Sequence, residues 1–256
     1  MELPSDRKNK ASLFVTCIID QLNPEVGEST VRVLQRLGVE LDFPTAQTCC
    51  GQPAFNSGYW SEAKPLARRF LETFTGEIPI VIPSGSCASM VRIFYQELFH
   101  DEPLWAEKVS SLAPNVFELS EFLVDVLNAT DEIGAIATLA EAQEVLVTYH
   151  ETCHLRREIG ATTQARELLQ ALPNVTLAEM PQSEVCCGFG GTFAVKYADI
   201  SGAMLKDKVD NIKISNAGTV VACDSSCLMH IGGGLEKQNV PAQPLHLAQL
   251  LDQAMG

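Results

Sequence analysis

Residues 186–191 read Cys186-Cys187-Gly188-Phe189-Gly190-Gly191 and contain the two adjacent cysteines on which the fold prediction depends. Neighbouring side chains of a regular strand point to opposite faces, so two adjacent cysteines in a strand cannot both enter one apolar core. Because glycine adopts backbone conformations that other residues avoid, the glycines that follow allow both sulfurs to turn toward one object. We interpret that object as a metal centre, and a second copy of the motif, Cys49-Cys50-Gly51, supports this interpretation.

The cysteine spacing indicates that the chain is a tandem duplication. In each half, a single cysteine is followed by Cys-Cys-Gly and then by one further cysteine. The intervals are 32 and 37 positions in the first copy and 33 and 40 positions in the second. The first set is Cys17, Cys49, Cys50 and Cys87, and the second set is Cys153, Cys186, Cys187 and Cys227. Four cysteines in the same order at nearly equal intervals indicate two copies of one ancestral unit.

Short runs rich in β-branched residues alternate with amphipathic helical patterns along both halves. The predicted strands are residues 12–17, 39–43, 78–82, 145–149, 175–180 and 219–222. The predicted helices are residues 25–37, 63–74, 88–99, 117–127, 163–172 and 198–212, with a closing helix from residue 244. This alternation predicts an α/β fold of two tandem pseudo-symmetric repeats, each with a mostly parallel sheet flanked by helices. The predicted repeats are residues 1–130 and 131–256, with a linker near residues 128–142.

Each cysteine of the two sets follows a predicted strand, and ligands of parallel sheets gather beyond the carboxyl ends of the strands. We therefore predict two sites, one for each set of four thiols. Cys223, an extra thiol, and His230, a nitrogen donor, are further candidates at the second site, although a lone cysteine is more commonly a small buried apolar residue. His150 and His154 are expected either to tune a cluster by hydrogen bonding or to be solvated loop residues.

The net charge and the number of cysteines exclude several classes of function. A formal net charge of −14 over 256 residues argues against binding to nucleic acid and to anionic membranes. An acidic surface can dock a basic protein, but it more often serves solubility. We find neither a signal peptide nor an apolar run of transmembrane length and expect a cytoplasmic protein. Nine cysteines in that reducing compartment indicate metal binding or redox chemistry rather than disulfides.

The order and spacing of the cysteines resemble those of the cysteine-rich CCG-domain family over nearly the whole chain. That family includes the cysteine-rich subunit of heterodisulfide reductase and the iron–sulfur subunit of glycolate oxidase. Within it, the chain is most similar to the members that consist of two CCG domains and little else and that serve lactate utilisation. The sequence has no C-x2-C-x2-C-x3-C-P run of a bacterial ferredoxin domain. The resemblance therefore implies companion iron–sulfur proteins as partners.

The chain departs from the family pattern at the end of each motif. The family has Cys-x-x-Cys there, whereas this chain reads Cys87-Ala88-Ser89-Met90 and Cys227-Leu228-Met229-His230. In the heterodisulfide reductase member of the family, five cysteines hold a noncubane pair of fused iron–sulfur units. Four thiolates are the ordinary ligands of a 4Fe-4S cluster, so we expect one or two such clusters, with the second site the better equipped. Zinc is the alternative, because it also accepts four sulfur ligands.

The resemblance implies an oxidoreductase subunit that relays single electrons while L-lactate, or another 2-hydroxy acid, is oxidised to pyruvate. We consider two alternatives. One is a non-catalytic zinc-binding or docking subunit, and the other is a subunit of a disulfide-reducing or glycolate-oxidising complex. Metal analysis distinguishes the first alternative from the electron-transfer hypothesis.

Overall fold

The computed structural model describes residues 9–139 and 143–256 and contains two four-stranded sheets in which all strand pairs are parallel. The first sheet, in the order β2-β1-β3-β4, consists of β1 (Lys10–Leu13), β2 (Glu40–Asp42), β3 (Ile80–Ile82) and β4 (Val116–Glu118). The second, in the order β6-β5-β7-β8, consists of β5 (Val145–Tyr149), β6 (Val175–Leu177), β7 (Thr219–Ala222) and β8 (Gln243–His246). The matching strand order confirms the predicted α/β fold of two pseudo-symmetric repeats.

Helices connect the strands in both halves. Those of the first half are α1 (Cys17–Leu22), α2 (Pro24–Arg36), α3 (Gln52–Asn56), α4 (Trp60–Thr73), α5 (Gly85–Ser89), α6 (Tyr95–Leu98), α7 (Pro103–Leu112) and α8 (Leu119–Glu121). The following helices are α9 (Thr130–Leu139), α10 (Gln164–Ala171), α11 (Phe193–Lys196), α12 (Ala198–Ser215), α13 (Ser225–Lys237) and α14 (Leu247–Met255). Ala113–Asn115 forms a 3₁₀ turn, and Met90–Phe94, Phe122–Val126 and Leu155–Ile159 form π-helical turns. Among the described residues, no helix combines the length and apolarity needed to cross a membrane.

Helix α2 illustrates how the local sequence sets the bounds of an element. Pro24 occupies its first turn, where the missing N–H costs no helical hydrogen bond. Gly38 follows the helix with a φ of 73°, a conformation that glycine adopts readily and that ends helices. The buried face of α2 includes Val33, and on its other side Arg32 Nε donates to Asp252 Oδ2 of α14 at 2.7 Å. The first half is thus joined to the last helix of the second.

The largest apolar core is shared by the two halves. Val33 and Phe122 from the first half and Leu168 and Leu251 from the second belong to the same cluster, and all four are fully buried. Two smaller cores each belong to one half. Since burial of apolar side chains is the main stabilising term, the two repeats stabilise each other.

Several predicted bounds differ from the structure. β1 ends at Leu13, and residue 17 begins a helix, because Thr16 adopts a φ of 74° that interrupts the strand. The predicted helices near residues 117 and 244 both begin with a strand, β4 and β8, which the sequence pattern missed. Both are edge strands of three or four residues that run directly into a helix, so they are too short to show a period of their own.

The predicted linker near residues 128–142 is largely helical. Residues 130–139 form α9, which packs against α10 and α14, and residues 140–142 lie outside the described residues. The apolar residues of α9, such as Ile133, belong to the shared core and therefore favour a helix over a free connection. The division of the repeats at residue 130 stays a prediction.

Candidate metal centre

In each half the four predicted cysteines form a row of neighbouring sulfurs. Cys17 Sγ lies 3.4 Å from Cys49 Sγ, and Cys50 Sγ lies 3.3 Å from Cys87 Sγ. The side chains of Cys49 and Cys50 also interact, which completes the first row. The second row has the same order of interactions, namely Cys153 with Cys186, Cys186 with Cys187, and Cys187 with Cys227. All nine cysteines are free thiols.

The glycine of each Cys-Cys-Gly motif places the first cysteine of the pair. Gly51 and Gly188 have φ values of 85° and 91°, in the region that glycine tolerates without steric cost. Their N–H groups donate to Cys49 Sγ and Cys186 Sγ, both at 3.4 Å. At Gly188 a Cβ atom would lie 2.9 Å from the carbonyl oxygen of Ser201. Only glycine therefore fits this turn against α12.

These contacts give neighbouring cysteines of each row different protonation states. Neighbouring thiols and the glycine N–H donate to Cys49 and Cys186, and this lowers the pKa of Cys49 to about 3 and that of Cys186 to about 2. The pKa values of Cys17 and Cys153 are raised, because each donates its proton to the thiolate beside it and because both are partly buried. Each row thus stabilises one thiolate before any ligand binds, and the thiolate is the form of cysteine that binds metals.

The two rows line one cavity of about 440 Å³ between the halves. All eight cysteines of the two sets contact this cavity, with Thr16, Thr152, Phe189 and Asp224 among the other lining residues. Four of these cysteines are buried, namely Cys50, Cys87, Cys187 and Cys227, and the other four are half-buried. The sequence predicted two sites, and the tertiary structure brings them to the same cleft.

The loops after β3 and β7 cross at this cleft and hold the two rows together. The backbone N–H of Gly85 donates to the carbonyl oxygen of Cys223 at 3.2 Å. The Asp224 carboxylate accepts from the Ser84 hydroxyl at 3.1 Å and from the Ser86 N–H at 3.0 Å. It also accepts from the Ser226 N–H at 3.1 Å, at the start of the helix that carries Cys227. One buried acid thereby organises the fourth cysteine of both rows.

Two of the predicted site residues do not contact the cavity. Cys223 is fully buried with its sulfur 3.6 Å from the Tyr149 hydroxyl, and burial raises the pKa of this thiol. This position agrees with the alternative of a small buried residue. His230 lies with Nε2 3.3 Å from the Ser201 hydroxyl and with its ring 5.7 Å from that of Phe189. It is behind the Cys-Cys-Gly turn.

The two histidines near Cys153, His150 and His154, differ in their environment. His154 lines the cavity, and its Nδ1 lies 3.3 Å from a carboxylate oxygen of Glu158. The expectation that His150 could be a solvated loop residue is wrong, since His150 is fully buried directly after β5. Burial lowers the pKa of His150 to about 3, so the ring is neutral at pH 7.

A nitrogen of His150 lies close to two sulfurs of the second row. This nitrogen and the sulfurs of Cys187 and Cys227 all lie within 4.8 Å of one another. A set of one nitrogen and several sulfur donors at such distances can hold a transition metal ion or an iron–sulfur cluster. The sequence alone indicates only that His150 tunes a cluster or is solvated, and it does not predict a ligand at this position.

Two parallel four-stranded sheets and a shared cleft with two rows of free thiols define a class of doubled, cysteine-rich α/β proteins with a thiolate site. The family model of the cysteine-rich domain, CCG, matches residues 11–92 and 147–232. The chain therefore belongs to the CCG family, as the cysteine spacing predicted.

The relatives of the chain include several curated proteins of similar length. It is 42% identical over 243 residues to lactate utilization protein A of Halalkalibacterium halodurans, which covers 95% of this chain and 96% of that protein. It is 44% identical over 243 residues to lactate utilization protein A of Bacillus licheniformis, with 95% and 99% covered. It is also 42% identical over 247 residues to lactate utilization protein A 2 of Bacillus cereus, with 96% and 99% covered.

Proposed function

We propose that this chain takes part in lactate utilisation as an iron–sulfur protein that relays electrons from the oxidation of L-lactate to pyruvate. The observation that carries the proposal is the convergence of two like rows of four free thiols on one cavity. The names of the relatives supply the link to lactate. Companion iron–sulfur proteins are the partners that we propose for the relay.

The donor set fits an iron–sulfur cluster in each half. Cysteine thiolates are the usual ligands of such clusters, and each row offers four of them. The first cluster would be held by Cys17, Cys49, Cys50 and Cys87, and the second by Cys153, Cys186, Cys187 and Cys227. When bound, these groups supply reversible one-electron transfer.

The chain's own residues prepare the rows for this ligand. The N–H groups of Gly51 and Gly188 stabilise negative charge on the neighbouring sulfurs. The fully or nearly buried cysteines, such as Cys50 and Cys187, keep one side of each row away from water. The half-buried cysteines, such as Cys17 and Cys153, are the members of each row that solvent reaches, and an electron partner can approach there.

The lining of the cavity favours a relay over direct binding of lactate. A 2-hydroxy acid carries a carboxylate, which enzymes usually hold with an arginine or lysine side chain. Among the described residues that line the cavity there is no arginine or lysine, and the acidic Asp224 lies there. We therefore propose that the lactate carboxylate binds on a companion protein and that this chain receives only the electrons.

Anaerobic purification followed by iron, sulfide and zinc analysis tests the proposal. We expect iron and acid-labile sulfide in similar amounts and a brown protein that absorbs visible light. On reduction, the protein should give an electron paramagnetic resonance signal. Cys186→Ser should lower the iron content, whereas Cys223→Ser is the matched control, because Cys186 lines the cavity and Cys223 does not. Stoichiometric zinc without sulfide would instead support the zinc-binding docking subunit and would contradict the relay.

A further inference from the structure

We propose that His150 supplies a nitrogen ligand to the metal centre of the second row, so that the two centres in the cleft are chemically different. The first row would bind through sulfur alone, and the second through sulfur and one imidazole nitrogen. This inference rests on the proposal that the rows hold metal centres. It goes beyond it by assigning a ligand that is not a cysteine.

The hydrogen bonds of His150 identify the nitrogen that is available. Nδ1 lies 3.2 Å from the carbonyl oxygen of Ser183, which can only accept, so the ring proton is on Nδ1. Nε2 is buried and has no hydrogen-bond partner in the described structure. A buried polar atom without a partner is costly, and a bound metal ion would satisfy the lone pair of Nε2 where the described structure supplies no hydrogen-bond donor.

The surroundings of the ring match those of known metal-binding histidines. Such residues commonly donate their second ring N–H to a backbone carbonyl, which fixes the tautomer and the ring orientation. Ser183 provides that carbonyl, and its position is itself held, because Lys208 Nζ donates to the carbonyl oxygens of Gln182 and Ser183 at 2.7 and 3.2 Å. Lys208 is 1% exposed and is therefore a positioning residue behind the site.

The pseudo-symmetry of the fold provides a natural comparison for His150. The residue directly after β1 is Phe14, which lies three positions before Cys17, as His150 lies three positions before Cys153. The Phe14 N–H donates to the Val81 carbonyl oxygen at 3.0 Å, and the His150 N–H donates to that of Val221 at 2.8 Å. The two residues are thus structurally equivalent, and the first half has only a phenyl ring at this place.

The phenyl ring of Phe14 packs into an apolar cluster and offers no donor atom. Its centroid lies 4.9 Å from that of Phe70 in an edge-to-face contact. In the second half a polar ring occupies the equivalent buried position, which would cost free energy if it served packing alone. The difference between Phe14 and His150 therefore indicates, independently of the unpartnered Nε2 atom, that His150 binds a ligand.

The test labels the histidines with ¹⁵N and measures nitrogen hyperfine coupling by pulsed electron paramagnetic resonance on the reduced, oxygen-free protein. We expect a coupling that changes between the ¹⁴N and ¹⁵N samples, which needs no variant and hence no assumption about folding. The coupling should be lost in His150→Phe, which copies the residue of the first half. It should persist in His230→Asn, because that side chain lies behind the turn.

Each outcome decides between the proposals. Iron and sulfide without a histidine coupling, or with a coupling that His150→Phe retains, would overturn the assignment of His150 and leave the electron relay standing. If the protein holds zinc, X-ray absorption at the zinc edge replaces the resonance experiment, and a shell of sulfur alone would overturn the assignment. Protein that binds no metal after anaerobic reconstitution would contradict both proposals.

Discussion

The carboxylate of Asp224, in the second half, accepts a hydrogen bond of 3.0 Å from the backbone N–H of Ser86 in the first half. The same side chain caps its own helix α13. Asp224 is 2% exposed, so water does not replace either interaction. One residue therefore supports both helices that begin at the cleft and couples the geometry of the two thiol rows.

Asp224→Ala should destabilise the protein and release metal from both rows. The loss of a helix cap and of hydrogen bonds to a buried charged group should lower the free energy of unfolding by about 2–4 kcal/mol. Denaturant unfolding followed by tryptophan fluorescence measures the first effect, and iron analysis measures the second. The control is Asp252→Ala, which removes the contacts of Arg32 and Arg36 with α14, and none of these three residues lines the cavity. It should keep its iron, and equal iron loss in both variants would contradict this role of Asp224.

Gly188→Ala should impair the second row far more than Gly191→Ala. Both glycines have positive φ values, 91° and 62°, so each substitution imposes backbone strain of about 1–2 kcal/mol. Only at Gly188 would the added Cβ atom also meet Met204 and Ser201, at 2.9 Å each, whereas nothing lies within 4 Å at Gly191. Unfolding midpoints and iron content should separate the two variants. Similar values for both would show that the close approach to α12 has little effect.

In the metal-free protein, Cys49 and Cys186 should react with iodoacetamide before the other cysteines. Their pKa values are lowered, to about 3 and about 2, so both are thiolates at pH 6, where an ordinary cysteine is almost fully protonated. Brief labelling at pH 6 followed by peptide mass spectrometry measures the order of reaction. Cys17 and Cys153 have raised pKa values and similar partial exposure, and they are the internal controls. Equal labelling of all four would contradict the assigned protonation states.

Glu118 should make the protein less stable as the pH rises. Burial raises the pKa of its carboxyl from 4.5 to about 8, and its Oε1 atom has no hydrogen-bond partner in the described structure. Between these pH values the folded state holds a proton on Glu118 that the unfolded state has lost, so the contribution of this group to stability falls as the pH rises, by up to roughly 1.4 kcal/mol per pH unit. The stability that this proton contributes is fully present below pH 4.5 and is lost as the pH rises through about 8.

Glu118→Gln tests this linkage, because glutamine does not titrate. In denaturant unfolding between pH 5 and 8, the free energy of unfolding of the native chain should fall relative to that of the variant as the pH rises, because all other titrating groups contribute equally to both. Asp252→Ala should retain the native slope, since the pKa of Asp252 is lowered and this carboxyl titrates below the window. A slope that Glu118→Gln leaves unchanged would assign the pH dependence to another group.

The sequence predicted the two central strands of the second sheet well and missed the edge strands β4 and β8. β5 and β7 were predicted with their observed bounds, since each is a run of β-branched residues followed by a break in the pattern. β4 and β8 were read as helix because only their pairing with a neighbouring strand makes them extended. The candidate site shows the same division. The eight cysteines were found from their spacing, but the buried environment of His150 has no local signature.

By itself, the sequence determined the duplication, the alternation of strands and helices, and the two sets of four thiols. These properties depend on the order of residues along the chain and on local periodicity, which are visible without coordinates. The tertiary structure alone decided that both sets face one cavity, that Cys223 turns away from it, and that His150 lies beside Cys187 and Cys227. Those relationships follow from how two sheets pack around a shared core, and packing joins residues that are far apart in the chain.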